Sequence, residues 1–335
     1  MPRTDDLTNA RLVQADEFYT SLTDIEKELK YYKKFFRDKI VYCNCDTLNS
    51  NFFKYFSLKF ENLGLKQLII TSYNPDGKGI KCVYNGDLNG NQIVDEDEVE
   101  VTEMESDGDF RSDECIEIMK QSDVVVTNPP FSLFREFILT LNSYDKKFLV
   151  IGNVNAITYK DIFPLVMENK LWLGVSIHSG DREFQVPDSY PLNAAGCRVD
   201  ENGNKFIRVK GVRWFTNIDN KNRHEELELY KRYTPDEFPT FDNYDAINVN
   251  ETALIPEDYF GVMGVPITFI DRYCPDQFEI LGITDRQDSY GFRTKKYTKN
   301  DDPKYNDLNA RGVIKTPNGY KSIYARILIK RIQQS

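Results

Sequence analysis

Apolar spacing changes period several times along the N-terminal half. Ile25, Leu29, Tyr32 and Phe36 recur at helical intervals behind Thr23-Asp24-Ile25-Glu26, which reads as a capping box. The run KIVYCNCD, Lys39 to Asp46, then predicts a short buried strand. Asn49-Ser50 can cap a helix with Phe52, Phe53, Phe56, Phe60 and Leu63 on one face and Gly64 at its end. LKQLIITSY predicts a second strand. Strand, helix and strand make a βαβ unit, which implies a parallel pair with a right-handed crossover.

Residues 74–104 interrupt this alternation with two β-like runs around Asn-Gly turns, predicting an inserted acidic hairpin. A helix from about Ser112 to Gln121 leads into the strand DVVVT, and Ser132 can cap a helix carrying Phe134, Phe137, Ile138 and Leu141. KKFLVIG, a mostly helical NAITYKDIFPLVMEN and LWLGV follow in turn. The expectation is an open, mostly parallel Rossmann-like α/β sheet with helices on both faces. Later segments mix short strands and loops, with a long polar excursion between FEILGIT and ARILIKRI. We therefore expect one domain over 12–215, with the hairpin inserted at 74–104, and a mixed α+β region over 216–335.

Composition narrows the class. Of 335 residues, 40% are apolar and 29% charged, ordinary for a soluble globular protein. No run approaches a membrane span, and MPRTDDLTNARL lacks the apolar core of a signal peptide, so a cytoplasmic protein is expected. Six scattered cysteines and two histidines suggest free thiols and no metal centre. The net charge of −10 argues at first against a polyanionic partner. Its distribution reverses that: Asp87 to Asp113 holds eleven acids and one arginine, whereas Gly282 to Ser335 holds twelve Lys/Arg against five Asp/Glu. Local sign decides whether a surface attracts phosphate, so nucleic acid stays open.

The stretch VVVTNPPF carries the candidate chemistry. Ligands of an open parallel sheet bind beyond the carboxyl ends of its strands, where Asn128 would stand. The Asn128 side-chain oxygen and the Pro129 carbonyl can both accept hydrogen bonds, and the prolines hold them in one geometry. Phe131 adds a π-face. Two acceptors beside an aromatic platform suit a planar ring with an exocyclic amino group, such as a nucleobase flipped from a duplex.

Asn128-Pro129-Pro130-Phe131 fits the aminomethyltransferase signature [DNS]-P-P-[FYW]. With DEFYT, VYCNCDTLNSNFFKYF, GDFRS, KKFLVIGNVNAITYKDIF, YDAINVN and GVMGVPITF, in order over about residues 16–280, the chain resembles the EcoRI-type adenine-specific DNA methyltransferases. The resemblance implies S-adenosylmethionine as methyl donor and double-stranded DNA as acceptor. It implies that Asn128, Pro129, Pro130 and Phe131 hold and activate the target adenine. Tyr19 and Thr20 would touch the methionine end of the cofactor, and Asp109 and Phe110 its adenine. Asp46 is the candidate polar cofactor contact after the first strand. Two departures stand out: that strand lacks the glycine-rich motif of such enzymes, and the second ends in Thr71-Ser72-Tyr73 with no acid for the ribose.

On this basis 216–335 is expected to recognise the DNA target, with Lys295, Lys296 and Lys299 as phosphate contacts. No obligate protein partner is indicated, so a monomer is expected, within a restriction-modification system or as an orphan enzyme. The rival readings are an aminomethyltransferase acting on RNA or protein glutamine, and an inactive DNA-binding relative. Asp87, Asn89, Asn91, Asp95 and Glu98 have the spacing of a calcium-binding EF-hand loop, but Gln92 stands where that loop needs glycine and no helices flank it. A solvated hairpin is the expectation there.

Overall fold

The computed structural model describes residues 19–91, 93–178, 180–186 and 196–333. The chain forms two units: the first ends at Ile218, and the second starts at Asp219 and also takes Met167–Asn169.

In the first unit, helix α1 (Leu22–Leu29) is capped by Ser21, whose hydroxyl accepts from the Asp24 backbone N–H and donates to the Asp24 carboxylate. This box begins two residues before the Thr23 expected from sequence, because Ser21 offers the same chemistry one half-turn earlier. Strand β1 (Ile40–Asn44) is followed by helices α2 (Asn51–Leu58) and α3 (Phe60–Leu63), and Ser50 caps α2. Gly64 ends α3 in the left-handed conformation that a side chain would strain. Strands β2 (Gln67–Ser72), β3 (Ile80–Tyr84) and β4 (Val99–Glu103) come next, then α4 (Asp113–Gln121), capped by Ser112, and β5 (Val124–Thr127). A 3-10 turn over Phe131–Leu133 precedes α5 (Phe134–Ser143), so Leu133 rather than Ser132 takes the N-cap position. The double proline delays the helix, since Pro129 and Pro130 cannot continue it from the strand.

Strand β6 (Lys147–Asn153) and the short β7 (Trp172–Leu173) follow. Strands β8 (Asp181–Val186), β9 (Arg198–Val199) and β10 (Lys205–Lys210) form a small antiparallel sheet. KFIRVKGVRWFT is two strands, because Gly211 turns at φ +71° and sends β11 (Val212–Thr216) into the large sheet.

The large sheet has the order β4-β3-β2-β1-β5-β6-β11-β7. Strands β2, β1, β5 and β6 run parallel to one another; β3 and β11 run against them, and β4 and β7 return to the common direction. The protein is thus α/β, with a large mixed sheet whose strands mostly share one direction, plus smaller sheets. Burial of Phe36, Phe56, Leu149 and Trp214 places the core against this sheet.

The second unit holds β12 (Ile247–Asn248), β13 (Met263–Pro266) and β14 (Phe278–Ile283). It continues through β15 (Val313–Thr316), β16 (Gly319–Ser322) and β17 (Arg326–Arg331). FEILGIT and ARILIKRI pair antiparallel as β14 and β17, so the polar excursion leaves and returns at neighbouring strands. Within it, β15 and β16 form a separate two-stranded ribbon.

Candidate active site

Strand β1 lies between β2 and β5, so the connections leave it in opposite directions: this is the topological switch point of the sheet. The registers Val41↔Val124 and Tyr42↔Val125 bring the carboxyl ends of β1 and β5 together. Asn128-Pro129-Pro130-Phe131 leaves one, and Asn44-Cys45-Asp46 leaves the other. Cys45 turns at φ +65°, a conformation natural to glycine. The chain therefore makes a left-handed turn after β1 without a glycine there.

Side chains cross-link this edge. The Thr127 hydroxyl reaches both the Asn44 carbonyl oxygen and the Asp46 carboxylate, the latter at 2.7 Å. The Asn128 amide nitrogen donates to Thr20 Oγ1 at 3.2 Å. Thr20 is itself anchored, its carbonyl oxygen accepting from Asn51 Nδ2 at 2.8 Å. Asn44 is 2% exposed, and its Oδ1 is buried with no hydrogen-bond partner among the described residues. Such an acceptor costs about 1–3 kcal/mol until a donor meets it.

Phe131 is half-buried and meets Phe184 of β8 edge-to-face, with ring centroids 6.4 Å apart. The next residue of β8, Gln185, accepts from the Tyr19 backbone N–H at 3.0 Å. Tyr19 is 45% exposed. Asp16, Glu17 and Phe18 of DEFYT lie outside the described residues.

Asp109 and Phe110 stand beside the carboxyl end of β2. Gly108 allows this: a Cβ there would lie 2.1 Å from the Ser72 carbonyl oxygen, and its φ is +81°. The Asn74 N–H then donates to the Asp107 carbonyl at 2.7 Å. The Asp109 carboxylate is held by Arg111, with Nε at 2.8 Å on one oxygen and Nη2 at 2.6 Å on the other. Burial alone would raise its pKa, but the hydrogen bonds and charge of Arg111 leave it below the usual carboxylate value. Phe110 is buried edge-to-face against Phe137 at 5.0 Å.

The structure thus gathers Thr20, Asp46 and the Asn128–Phe131 stretch around one strand junction, and sets Asp109 and Phe110 at the adjacent strand end. Sequence reasoning missed Asn44, Thr127, Phe184 and Arg111. Asn44 and Thr127 gave a signal as polar residues closing apolar strands; Phe184 and Arg111 gave none.

Elsewhere in the first unit, the calcium-like spacing serves the loop itself. Asn89 and Asn91 donate to Asp95 Oδ2, each at 2.7 Å, and Glu98 accepts from the backbone N–H groups of Leu88 and Asn89. Gln92 lies outside the described residues.

In the second unit the three lysines differ. Lys295 donates to Asp242 at 2.9 Å and sits over the rings of Tyr297 and Tyr320, at 4.6 and 5.1 Å. Lys296 and Lys299 are exposed. Asp242 also binds Lys315 at 2.8 Å and the Tyr297 hydroxyl at 2.7 Å. Burial opposes its ionisation, yet these three donors bring its pKa down to about 2.

A proline-locked asparagine and an aromatic ring at the switch point of an α/β sheet define an amino-group methyltransferase. The family of adenine-specific EcoRI methyltransferases matches residues 6–332, and the chain belongs to that family. It is 47% identical over 336 residues to the Type II methyltransferase M.EcoRI of Escherichia coli, covering 97% of this chain and 95% of that protein. It is 37% identical over 332 residues to the Type II methyltransferase M.MgeORF184P of Mycoplasma genitalium, covering 97% and 98%. With M.MpnI of Mycoplasma pneumoniae it shares 39% over 277 residues, covering 81% and 83%. No solved structure matches significantly. No helix among the described residues is long and apolar enough to cross a membrane.

Proposed function

We propose that this protein is a site-specific DNA methyltransferase that places a methyl group from S-adenosylmethionine on N6 of a flipped adenine, within a restriction-modification or orphan modification system. Family membership supports the adenine specificity, and the relatives' names support the modification role. The observation that carries the reading is Asn128, opening the Asn-Pro-Pro-Phe turn at the junction of β1 and β5, where its amide is held against Thr20. The Rossmann-like sheet of a methyltransferase, with helices on both faces, accounts for that junction.

Asn128 Oδ1 and the Pro129 carbonyl accept from the adenine amino group and draw its lone pair out of ring conjugation. Phe131 stacks on the base, and the prolines keep these groups from relaxing. S-adenosylmethionine supplies an electrophilic methyl on a sulfonium, so no strong general base is required of the protein. The donor set fits this cofactor. Asn44 Oδ1 is a buried acceptor with no hydrogen-bond partner among the described residues; the ammonium group of the cofactor's methionine end would supply a donor to it, and Asp46 and Thr20 would complete the hold on that end. Asp109 and Phe110 would hold the adenine end, with Arg111 steadying the Asp109 carboxylate.

The region 216–335 would recognise duplex DNA, with Lys296 and Lys299 on phosphates and Lys295 positioning their loop through Asp242. Incubation with labelled S-adenosylmethionine and duplex DNA, RNA or protein tests the acceptor. Label in DNA is expected; label confined to RNA or protein, or none, overturns the assignment.

A further inference from the structure

The second unit carries a ribbon whose shape and charge fit one groove of its substrate. After Asp307 the chain has six Lys/Arg and no Asp or Glu. Those residues include the ribbon β15–β16, closed at Thr316↔Gly319 around Pro317-Asn318. The turn is stiff: proline restricts φ, Gly319 takes φ +109°, and the Thr316 hydroxyl donates to the Gly319 carbonyl at 2.9 Å.

A two-stranded ribbon is marginal by itself, so its base must be held. The Val313 N–H donates to Asn243 Oδ1 at 2.8 Å, the Asp242 N–H donates to the Val313 carbonyl at 2.7 Å, and Ile323 donates to Gly312 at 2.8 Å. Lys315 reaches Asp242, and the ring of Tyr320 meets Tyr297 edge-to-face at 5.1 Å. The tip has no such cover. Pro317, Asn318, Gly319 and Lys321 are exposed, and a Cβ on Gly319 would meet nothing within 4 Å. Tyr324 follows at 78% exposure, with the Arg311 guanidinium 5.3 Å from its ring.

Resting on the DNA-methyltransferase reading, we propose that β15–β16 enters the major groove of the target duplex, Asn318 reading a base edge and Lys321 binding phosphate. Strands of four residues extend about 13 Å, while the major groove is about 12 Å wide and 8.5 Å deep and admits a two-stranded ribbon. Asparagine suits the paired acceptor and donor of an adenine edge, and an acid-free ribbon meets no repulsion from the phosphates that line the groove.

The test uses the full chain and a synthetic duplex carrying a site mapped by methylation sequencing of plasmid DNA, alongside duplexes with single base-pair changes. Asn318→Ala should lower discrimination at one position by about 5- to 150-fold while keeping affinity for unrelated DNA. Lys321→Ala should weaken binding to every duplex and reduce the salt slope by about 0.9. Lys330→Ala, an exposed charge on β17 in a different sheet from the ribbon, should change neither. Normal methylation with unaltered discrimination and slope in both ribbon variants would overturn the ribbon's role alone. An equal effect from Lys330→Ala would do the same by showing diffuse charge. Failure of the unmodified protein to bind or methylate DNA would overturn the functional reading and the ribbon's role with it.

Discussion

The sheet edge of the first unit and the basic excursion of the second treat polar groups in opposite ways. At the edge they are withdrawn from water: Thr20 is 4% exposed, Asn44 2% and Thr127 0%. Around the excursion one partly buried carboxylate, Asp242, gathers Lys295, Lys315 and Tyr297, while Lys296, Lys299 and Lys321 stay in solvent. Chemistry on an amino group requires a few acceptors that do not move, which burial supplies. Binding a polyanion requires charge that water can reach until phosphate replaces it. Substitutions should therefore cost rate at the edge and salt-dependent affinity in the excursion.

The sharpest contrast should come from Asn128→Ala. Loss of a preorganised hydrogen-bonding group at a reacting centre typically costs about 100- to 1000-fold in turnover, and we expect at least that here. S-adenosylmethionine affinity should stay within a few-fold. Single-turnover methylation and calorimetry measure the two separately, and a near-normal rate would remove Asn128 from the chemistry. Next in size is Gly108→Ala. Its Cβ would press on the Ser72 carbonyl in a left-handed backbone, so stability should fall by about 3 kcal/mol in chemical denaturation.

How much of this contrast the sequence reveals depends on whether a feature is local. The α2 face, the strand VVVT and the proline turn after it were legible because spacing, caps and φ restriction act within a few residues. Phe184 was not, since only tertiary packing sets its ring against Phe131. The left-handed turn at Cys45 was hidden because glycine is its usual sign. Ser21 took the cap expected of Thr23 because both carry the same hydroxyl. The three lysines looked equivalent in sequence; a partner 53 residues away, Asp242, separates Lys295 from the others.

That separation can be measured. Lys296→Ala combined with Lys299→Ala should leave stability within about 0.5 kcal/mol and flatten the DNA salt slope by about 1.8. Lys295→Ala should instead lower stability by up to about 1 kcal/mol, since its ion pair is partly exposed and Asp242 keeps two other partners. Identical behaviour of all three lysines in both assays would dissolve the distinction.

The smallest effect concerns His224 of the second unit, bonded to Asp276 at 2.5 Å and Asp219 at 3.0 Å. Asp276 first, then Asp219, raise its pKa above 6.5. A raised folded-state pKa gives stability that is fully present below the unfolded value and lost as pH rises through the folded one. Thermal melts from acid to alkaline pH should show this decline in the unmodified protein, and His224→Gln should flatten it. A decline that survives the substitution would assign it to other groups.

Where the methyl group lands on DNA tests the central claim most directly. Duplex DNA treated with the protein and S-adenosylmethionine, digested to nucleosides and resolved by mass spectrometry, should yield N6-methyladenine. The Asn128→Ala variant should reduce that yield at least 100-fold in rate. Finding N4-methylcytosine alone, or no methylated base in DNA, would contradict the account.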